Sequence, residues 1–442
     1  MLQIDSRQVK IGDIFVAIKG EKIDGHDFIC DAIKNGASKI IAEKGEYPLP
    51  YEIVDDTKIY LENYLKEKYL DKINKLVLIG MTGTNGKTTT CNLIYQALLK
   101  AGIKAAYIGT LGFYIDKEKR QLDNTTPSIY TLYNLLNECY ERNCKYVVME
   151  VSSQGLAYNR VSGLTFKYVI FSNLTQDHLD FHITMEEYMK AKQKLFKQTK
   201  DSIAIINKDD KYYNNFIFEN NHNITYGTRD SDFKISNIDC ALDKTEFKLN
   251  DEMFTTKLIG EYNVYNVSVV IILLKLLKIE NINDLIYSLI SPVGRMDIVA
   301  KNNKTVIVDY AHTPDAVLKI LSTIRGVKHN KIITIIGCGG NRDKTKREKM
   351  GKIAVENSDY VIFTNDNPRF EKPRSIVKDI VKLLYTRNYK IILNRKRAIK
   401  KGIQMLKKND ILLVLGKGHE NYQIIKDKVI PFDDKKIVLE NL

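Results

Sequence analysis

From Leu76 onward, short apolar runs recur along the chain, and most are followed by a stretch with helical spacing. KLVLIG, KYVVMEV and YVIFSNL read as buried strands, and residues 87–101 carry the period of a helix. The pattern restarts near Ile298, where TVIVDY, KIITIIG, DYVIFTN, KIILN and DILLVLG are again separated by helix-like segments. Before residue 76 the elements are shorter, as in DIFVAIKG and KIIAEKG. Alternation of this kind predicts an α/β chain in three parts: a small N-terminal α/β domain over 1–75, a central parallel-sheet domain over 76–297, and a C-terminal doubly wound domain over 298–442.

Composition narrows the class. A chain of 442 residues is long enough for several cores, and 44% hydrophobic with 28% charged residues is ordinary for a water-soluble protein. The opening MLQIDSRQVK lacks the apolar core of a signal peptide, and the most apolar run, VSVVIILLKLLKI, is broken by Lys275 and too short to span a bilayer. Six scattered cysteines without a CxxC pair suggest neither a disulfide framework nor zinc, so the chain reads as cytoplasmic. The net charge of +14 is spread along the chain without aromatic stacking motifs. It therefore fits a lysine-rich surface, or a basic cleft for an anionic small molecule, better than nucleic-acid binding.

GMTGTNGKTTT, residues 80–90, follows the strand KLVLIG and opens a helix, the context of a phosphate-cradling loop. The strict pattern would place a glycine where Met81 stands, yet the order strand, GKT, helix is kept. In that role Lys87 would reach the β/γ-phosphates and Thr88 a Mg²⁺ ion, which makes the central part P-loop ATPase-like. Glu150, closing KYVVME, is placed to be an acidic metal ligand, or simply a strand-end charge. SNLTQDHLDFH offers His178 between Asp177 and Asp180 as a second metal position. In TMEEYMKAKQKLFKQ, Met185, Tyr188, Met189, Leu195 and Phe196 form one apolar stripe that includes Lys192. Such a lysine needs a partner or a changed pKa, or runs its stem out to water; spacing leaves these open. In the last part, the residues after the strands are DYAHTP, GCGGNRD, NDNPRFE and GKGHE, rich in glycine and charge, as a site at the carboxyl edge of a doubly wound, Rossmann-like sheet requires.

TGTNGKTTT, MEVSSQGL, NLTQDHLDFH, YMKAKQKLF, GEYNVYN, VGRMD, VDYAHTPDA, GCGGNRDKTKR, DNPRFE and GKGHE occur in the order found in the Mur ligases, and the chain resembles their UDP-N-acetylmuramoyl-tripeptide synthetase branch over nearly its whole length. The resemblance implies a peptidoglycan-precursor ligase. ATP would phosphorylate the terminal carboxylate of UDP-MurNAc-L-Ala-D-Glu, and the amine of an amino acid would displace the phosphate. It implies two Mg²⁺ ions, with Thr88 and Glu150 on one, His178 on the other, and Lys192 carbamylated to help hold metal. It assigns the nucleotide to Gly83, Thr84, Asn85, Gly86, Lys87, Thr88 and Thr89, with Asn263 and Asn266 on the adenine side and Arg295 and Asp309 toward phosphate and ribose. It assigns the muramyl substrate to Thr125, Thr126, Ser152 and Arg160, and the uridine end to Ser6 and Arg7.

The resemblance also bears on the incoming amino acid. In the family, DNPR accompanies meso-diaminopimelate, whose second carboxylate suits a guanidinium fork. Arg369 with Asn367 and Arg342 would hold that carboxylate, Glu420 with the Gly416 backbone the distal amine, and Asp366 is also assigned to the substrate. The partners implied are thus small molecules, with neither nucleic acid nor membrane insertion, and the state implied is a monomer. Only four residues precede Asp5, which implies a shortened first domain; Gln154, Tyr158, Asn341 and Glu348 depart from the family pattern. Other readings stay open: ligation of L-lysine or another amino acid, a different amide ligase of the superfamily, or a non-catalytic ATP-binding partner of cell-wall synthesis.

Overall fold

In the computed structural model, residues 1–20, 23–241, 243–301, 304–327, 329–386 and 388–442 are described, and they form two compact units. The first comprises Met1–Leu76, Pro127–Asn143 and Asn159–Leu164; the second comprises Val77–Thr126, Cys144–Tyr158 and Thr165–Leu442.

Leu2–Gln3, Ile14–Val16, Lys39–Ala42 and Tyr51–Ile53 form the parallel sheet of the first unit. The helix Thr57–Ile73 starts at Asp56, whose carboxylate accepts from the N–H groups of Lys58 and Ile59, and it buries Leu61, Leu65 and Ile73. A second helix of this unit, Ile129–Glu141, was expected in the central domain. Its buried stripe of Leu132, Tyr133, Leu135, Leu136 and Cys139 needs an apolar partner. It finds one within the first unit, where Tyr69 donates to Asn134 at 3.0 Å and Tyr133 to the Ser162 carbonyl at 2.8 Å. After residue 76 the chain returns to the first unit twice.

In the second unit, the strand Val77–Thr82 lies between Tyr168–Phe171 and Tyr146–Glu150, parallel to both. The alternation of strand and helix stops at Ser202. Asn221–Gly227, Phe233–Cys240, Thr245–Leu249 and Glu252–Thr256 extend the sheet with no α-helix between them, the last pairs antiparallel. The cause is local. Residues 245–249 alternate between buried and less buried positions, and Asn250 takes φ 53°, as a two-residue hairpin turn requires. The helix Glu261–Leu276 is buried nearly all round, including Val264, Val267, Val270, Ile271 and Leu274, which suits a helix at the centre of a core. Truncating Ile271 to Ala would cost about 2–5 kcal/mol.

A second sheet of this unit runs in the order Asp297–Lys301, Lys304–Asp309, Ile411–Leu415, Ile332–Ile336, Tyr360–Phe363 and Tyr389–Ile391, parallel except at its first pair. Ile411–Leu415, late in the chain, sits between the two early strands. The loops 416–420 and 337–342 therefore open on either side of a switch in strand order, where α/β sheets bind ligands. Among the described residues no helix is long and apolar enough to cross a membrane.

Candidate active site

Sheet register builds the first half of the site. Met81 pairs with Glu150, so the loop after Thr82 and the carboxylate of Glu150 emerge side by side. Met81 is fully buried strand, and the turn begins at Gly83 instead, which accounts for the displaced glycine of the motif. Gly86 takes φ 91°, and a Cβ there would lie 2.7 Å from Asn266 Oδ1. Helix Lys87–Lys100 follows, its first-turn N–H groups unsatisfiable within the helix and available to an anion.

The Thr88 hydroxyl donates to Glu150 Oε2 at 2.8 Å. Glu150, fully buried, also accepts from Tyr107 at 2.5 Å and from the backbone and hydroxyl of Thr110 at 2.9 and 3.1 Å. Burial and this carboxylate push the Tyr107 phenol well above its ordinary range, so Tyr107 stays a donor. Lys87 Nζ donates to the carbonyls of Gly83 and Thr84 at 2.7 and 2.8 Å, and among the described residues forms no ion pair. These groups fit a nucleotide with its cation. The lysine caps its own loop until phosphate oxygens arrive, and the Thr88–Glu150 oxygen pair is the donor chemistry Mg²⁺ takes. Among the described residues no three His, Cys, Asp or Glu side chains form a metal cluster, so a cation here would complete its shell with phosphate oxygens and water.

Lys192 is 1% exposed, among Tyr188, Ala191, Leu195 and Phe196, as the stripe predicts. It does not run to water. Its Nζ donates to the Gly83 carbonyl at 2.8 Å and lies 4.4 Å from the Tyr188 ring centre. Burial first, then the nearby Lys87, lower its pKa far below that of a free lysine. His178 takes φ 55°, and its Nε2 stands 3.4 Å from Asp177 Oδ2. Sequence reasoning named Asp177 only as a neighbour, yet it is a node: Lys346 lies 3.7 Å and His312 4.0 Å from its carboxylate. Burial raises the Asp177 pKa, but His178, Lys346 and His312 outweigh it and hold the group ionised. Lys346 and His312 come from two distant segments, so no local motif could have signalled the cluster.

A cavity of about 630 Å³ adjoins the loop, lined in part by Asn85, Asn263, Asn266, Arg295, Asp309 and His312. Asn266 receives the Thr90 hydroxyl at 3.1 Å and donates to Asn263 at 3.0 Å, so the two amides brace each other beneath the loop. Arg295 donates to Thr88 Oγ1 at 3.3 Å and lies 4.6 Å over the Tyr310 ring, and its buried Nε has no partner. Both oxygens of Asp309 already accept backbone N–H groups, of Met296 and Ala311, at 2.7 Å each, so it fastens the turn into the second sheet.

Of the residues expected on the muramyl substrate, Thr125 lies 3.1 Å from the Thr110 hydroxyl, and Thr126 donates to the Glu150 carbonyl at 2.9 Å. Ser152 caps the short helix Ser153–Ala157. Ser6, Arg7 and Arg160 belong to the first unit, where exposed Arg7 folds onto Asp5 at 2.8 Å.

Beyond the second sheet, Arg369 is half-buried with φ 51° and donates to the Gly340 carbonyl at 2.9 Å. Among the described residues it forms no ion pair with a carboxylate. Burial, then Arg342 nearby, lower its pKa, against a smaller upward pull from Asp366 and Glu420. Arg342 is half-exposed, 3.8 Å from Asp180. The Asn367 amide donates to Glu420 Oε2 at 2.8 Å and accepts from Lys417 at 3.1 Å and the Ile424 N–H at 2.9 Å. It braces the site, with one N–H of its amide nitrogen given to Glu420. Asp366 accepts the Asn367 N–H at 2.6 Å, and Gly416, at φ 113°, leaves no room for a Cβ, which would meet Asp366 at 2.7 Å. Lys417 and Tyr310, not anticipated, both touch Glu420.

The loops after the strands of two parallel sheets thus carry a phosphate cradle, an apolar-walled lysine and a pair of guanidinium groups. Family models match along the chain: the catalytic domain of the Mur ligase family over 1–66, the Mur ligase middle domain over 81–274, and the Mur ligase glutamate ligase domain over 294–418. The chain is 42% identical to a UDP-N-acetylmuramoyl-L-alanyl-D-glutamate--2,6-diaminopimelate ligase of Clostridium perfringens, covering 100% of this chain and 94% of that one. It is 44% identical to a protein of the same description, numbered 1, from Clostridium acetobutylicum, covering 99% and 94%. A solved structure so described aligns at 30% identity with a TM-score of 0.68, over 100% of this chain and 94% of that one. The MurF ligase of Thermotoga maritima in complex with ADP, at 20% identity, shares the fold with a TM-score of 0.71 over 99% and 96%. The chain belongs to the Mur ligase family.

Proposed function

We propose that this chain is an ATP-dependent ligase that adds meso-2,6-diaminopimelate to UDP-MurNAc-L-Ala-D-Glu in peptidoglycan precursor synthesis, acting as a cytoplasmic monomer. The observation that carries the choice of amino acid is Arg369, half-buried, beside Arg342, and lacking a carboxylate partner among the described residues. A diamino acid ending in a carboxylate satisfies it; L-lysine leaves it unmatched. The relatives named for diaminopimelate support the same reading. The three-part division, with uridine toward the first part, ATP on the second and the amino acid on the third, remains our assignment.

In the first step a carboxylate oxygen of the dipeptide attacks the γ-phosphorus, and the bond to the departing ADP oxygen breaks. In the second, the amine attacks the acyl carbon, the phosphate leaves and the amine sheds a proton. Mg²⁺ would offset the repulsion between carboxylate and triphosphate when held by Thr88 and Glu150, and by His178 with Lys192 as its carbamate. Lys87 would turn from the Gly83 and Thr84 carbonyls to the phosphates. Burial lowers the Lys192 pKa and so favours the neutral amine, the form that adds CO₂ and loses a proton to become a carbamate. Arg295 would steady the phosphates through the face it already shares with Thr88.

Phosphate release with UDP-MurNAc-L-Ala-D-Glu tests this, with meso-diaminopimelate, L-lysine and L-ornithine compared as amines. Diaminopimelate should be turned over far better. Equal or faster turnover with lysine would reassign the amino acid, and no ADP with any amine would end the ligase reading.

A further inference from the structure

GKGHE contains a lysine that the proposed chemistry leaves without a task. Lys417 is fully buried, and its Nζ donates to Glu420 Oε2 at 2.9 Å and to Asn367 Oδ1 at 3.1 Å, with the Tyr422 ring 5.6 Å away. The same Glu420 oxygen accepts the Asn367 amide at 2.8 Å, whereas Oε1 has only a 3.5 Å contact from the Tyr310 hydroxyl. One edge of the carboxylate is thus closed by a built-in ammonium, and the other stays open.

This arrangement changes what Glu420 can do for a ligand. An uncompensated buried carboxylate would draw in any side-chain ammonium, that of lysine as readily as that of diaminopimelate. With Lys417 on it, Glu420 can still accept a hydrogen bond, but most of its charge is spent. An arriving ammonium also meets Lys417 and the Arg369 guanidinium, which have no carboxylates of their own beyond Glu420 and the nearby Asp366. Arg395, also buried behind these acids, is already paired with Asp434 at 2.6 Å and adds little. A purely cationic tail therefore gains little and is repelled. A zwitterionic tail brings its own carboxylate to Arg369.

We infer that Lys417 is a specificity-determining residue, which neutralises Glu420 so that the distal subsite accepts a zwitterionic amino-acid tail and rejects a cationic one. The inference rests on the proposed ligase reading and assigns the rejection of lysine to a residue outside the arginine pair.

The test compares kcat/KM for meso-diaminopimelate and L-lysine in wild type, Lys417→Met and Glu420→Gln, with KM for ATP followed as a check on the distant site. Lys417→Met frees the charge of Glu420, and the preference for diaminopimelate should fall by about tenfold or more, through a gain on lysine. Glu420→Gln leaves Lys417 uncompensated; both amines should weaken, lysine more, so the ratio should rise. Opposite movement of the two ratios with an unchanged KM for ATP supports the inference. A Lys417→Met enzyme that loses activity equally on both amines, or keeps the wild-type ratio, overturns it. Should Lys417→Met fail to fold, the Glu420→Gln ratio decides alone: a fall or no change overturns the inference. Wild type that releases no phosphate with either amine defeats the ligase reading itself, whereas wild type that prefers diaminopimelate while Lys417→Met keeps that preference defeats only this inference.

Discussion

The phosphate loop and the amino-acid end are both rich in cations, but they keep them differently. At the loop, Lys87 and Lys192 converge on one acceptor, the Gly83 carbonyl, at 2.7 and 2.8 Å, and burial lowers the pKa of both. At the far end, Arg369 and Arg342 face each other across space, held by backbone carbonyls and a distant aspartate. On the proposed reading, Lys87 stores its charge against the loop's own backbone and turns it to a triphosphate that always carries the same shape. Arg369 is instead left without an ion pair among the described residues, and on the proposed reading the incoming amino acid supplies it. Charge kept internally serves the common chemistry, and charge left unmatched serves selection.

Four substitutions would break or sharpen that contrast, from the largest effect to the smallest. Lys87→Met should lower kcat by about a thousandfold or more, with KM for the amino acid little changed, as steady-state phosphate release would show. A change confined to KM would move Lys87 to the ground state. Lys192→Ala should lose about two orders of magnitude in rate, with partial recovery on adding short carboxylic acids, because the lost group is an acid held by the lysine. Full activity in that variant would remove Lys192 from the metal role. Arg369→Ala should raise KM for diaminopimelate roughly 10- to 100-fold and leave ATP-dependent steps nearly intact. The smallest effect is on stability. Glu371 ties the loops 337–342 and 366–371 together through Arg347, which donates to its two oxygens at 2.8 and 2.9 Å. Those hydrogen bonds lower its pKa from 4.5 to about 2 in the folded protein, so the stabilisation is complete above the unfolded value and fades as pH falls from 4.5 toward 2. Glu371→Gln should therefore lower unfolding stability by about 2 kcal/mol at pH 7, a gap that closes on acidification. A gap that persists at pH 2 would mean the pair is not its source.

The same contrast explains what the sequence could reveal. Lys87, Thr88 and Glu150 are legible because a loop and two adjoining strands bring them together, and a strand's end is visible in its apolar run. Lys192 is legible from its stripe, since burial of a helix face follows from spacing alone. The Asp177 node is not, because Lys346 and His312 arrive from segments more than a hundred residues away in the chain. Asp309 and Asn367 were given ligand roles because of their motifs, and the structure adds what a motif does not say, that each also braces backbone or neighbouring side chains. Motif membership says that a residue is near a site, and only geometry says whether any lone pair or proton is left for a ligand. In the fold, the parallel strands were legible from hydrophobic runs. The hairpin of residues 245–256 was hidden because alternation over so few positions is a faint signal. The place of Ile129–Glu141 was hidden because its stripe announces burial without naming the surface that provides it.

That helix also sets a rule for dissecting the protein. A fragment stopped at Leu76 would carry Thr57–Ile73 without Ile129–Glu141, leaving Tyr69 short of Asn134 and an apolar flank wet. Anyone wishing to isolate the first unit must transplant two interior stretches with it, or accept an aggregating stub.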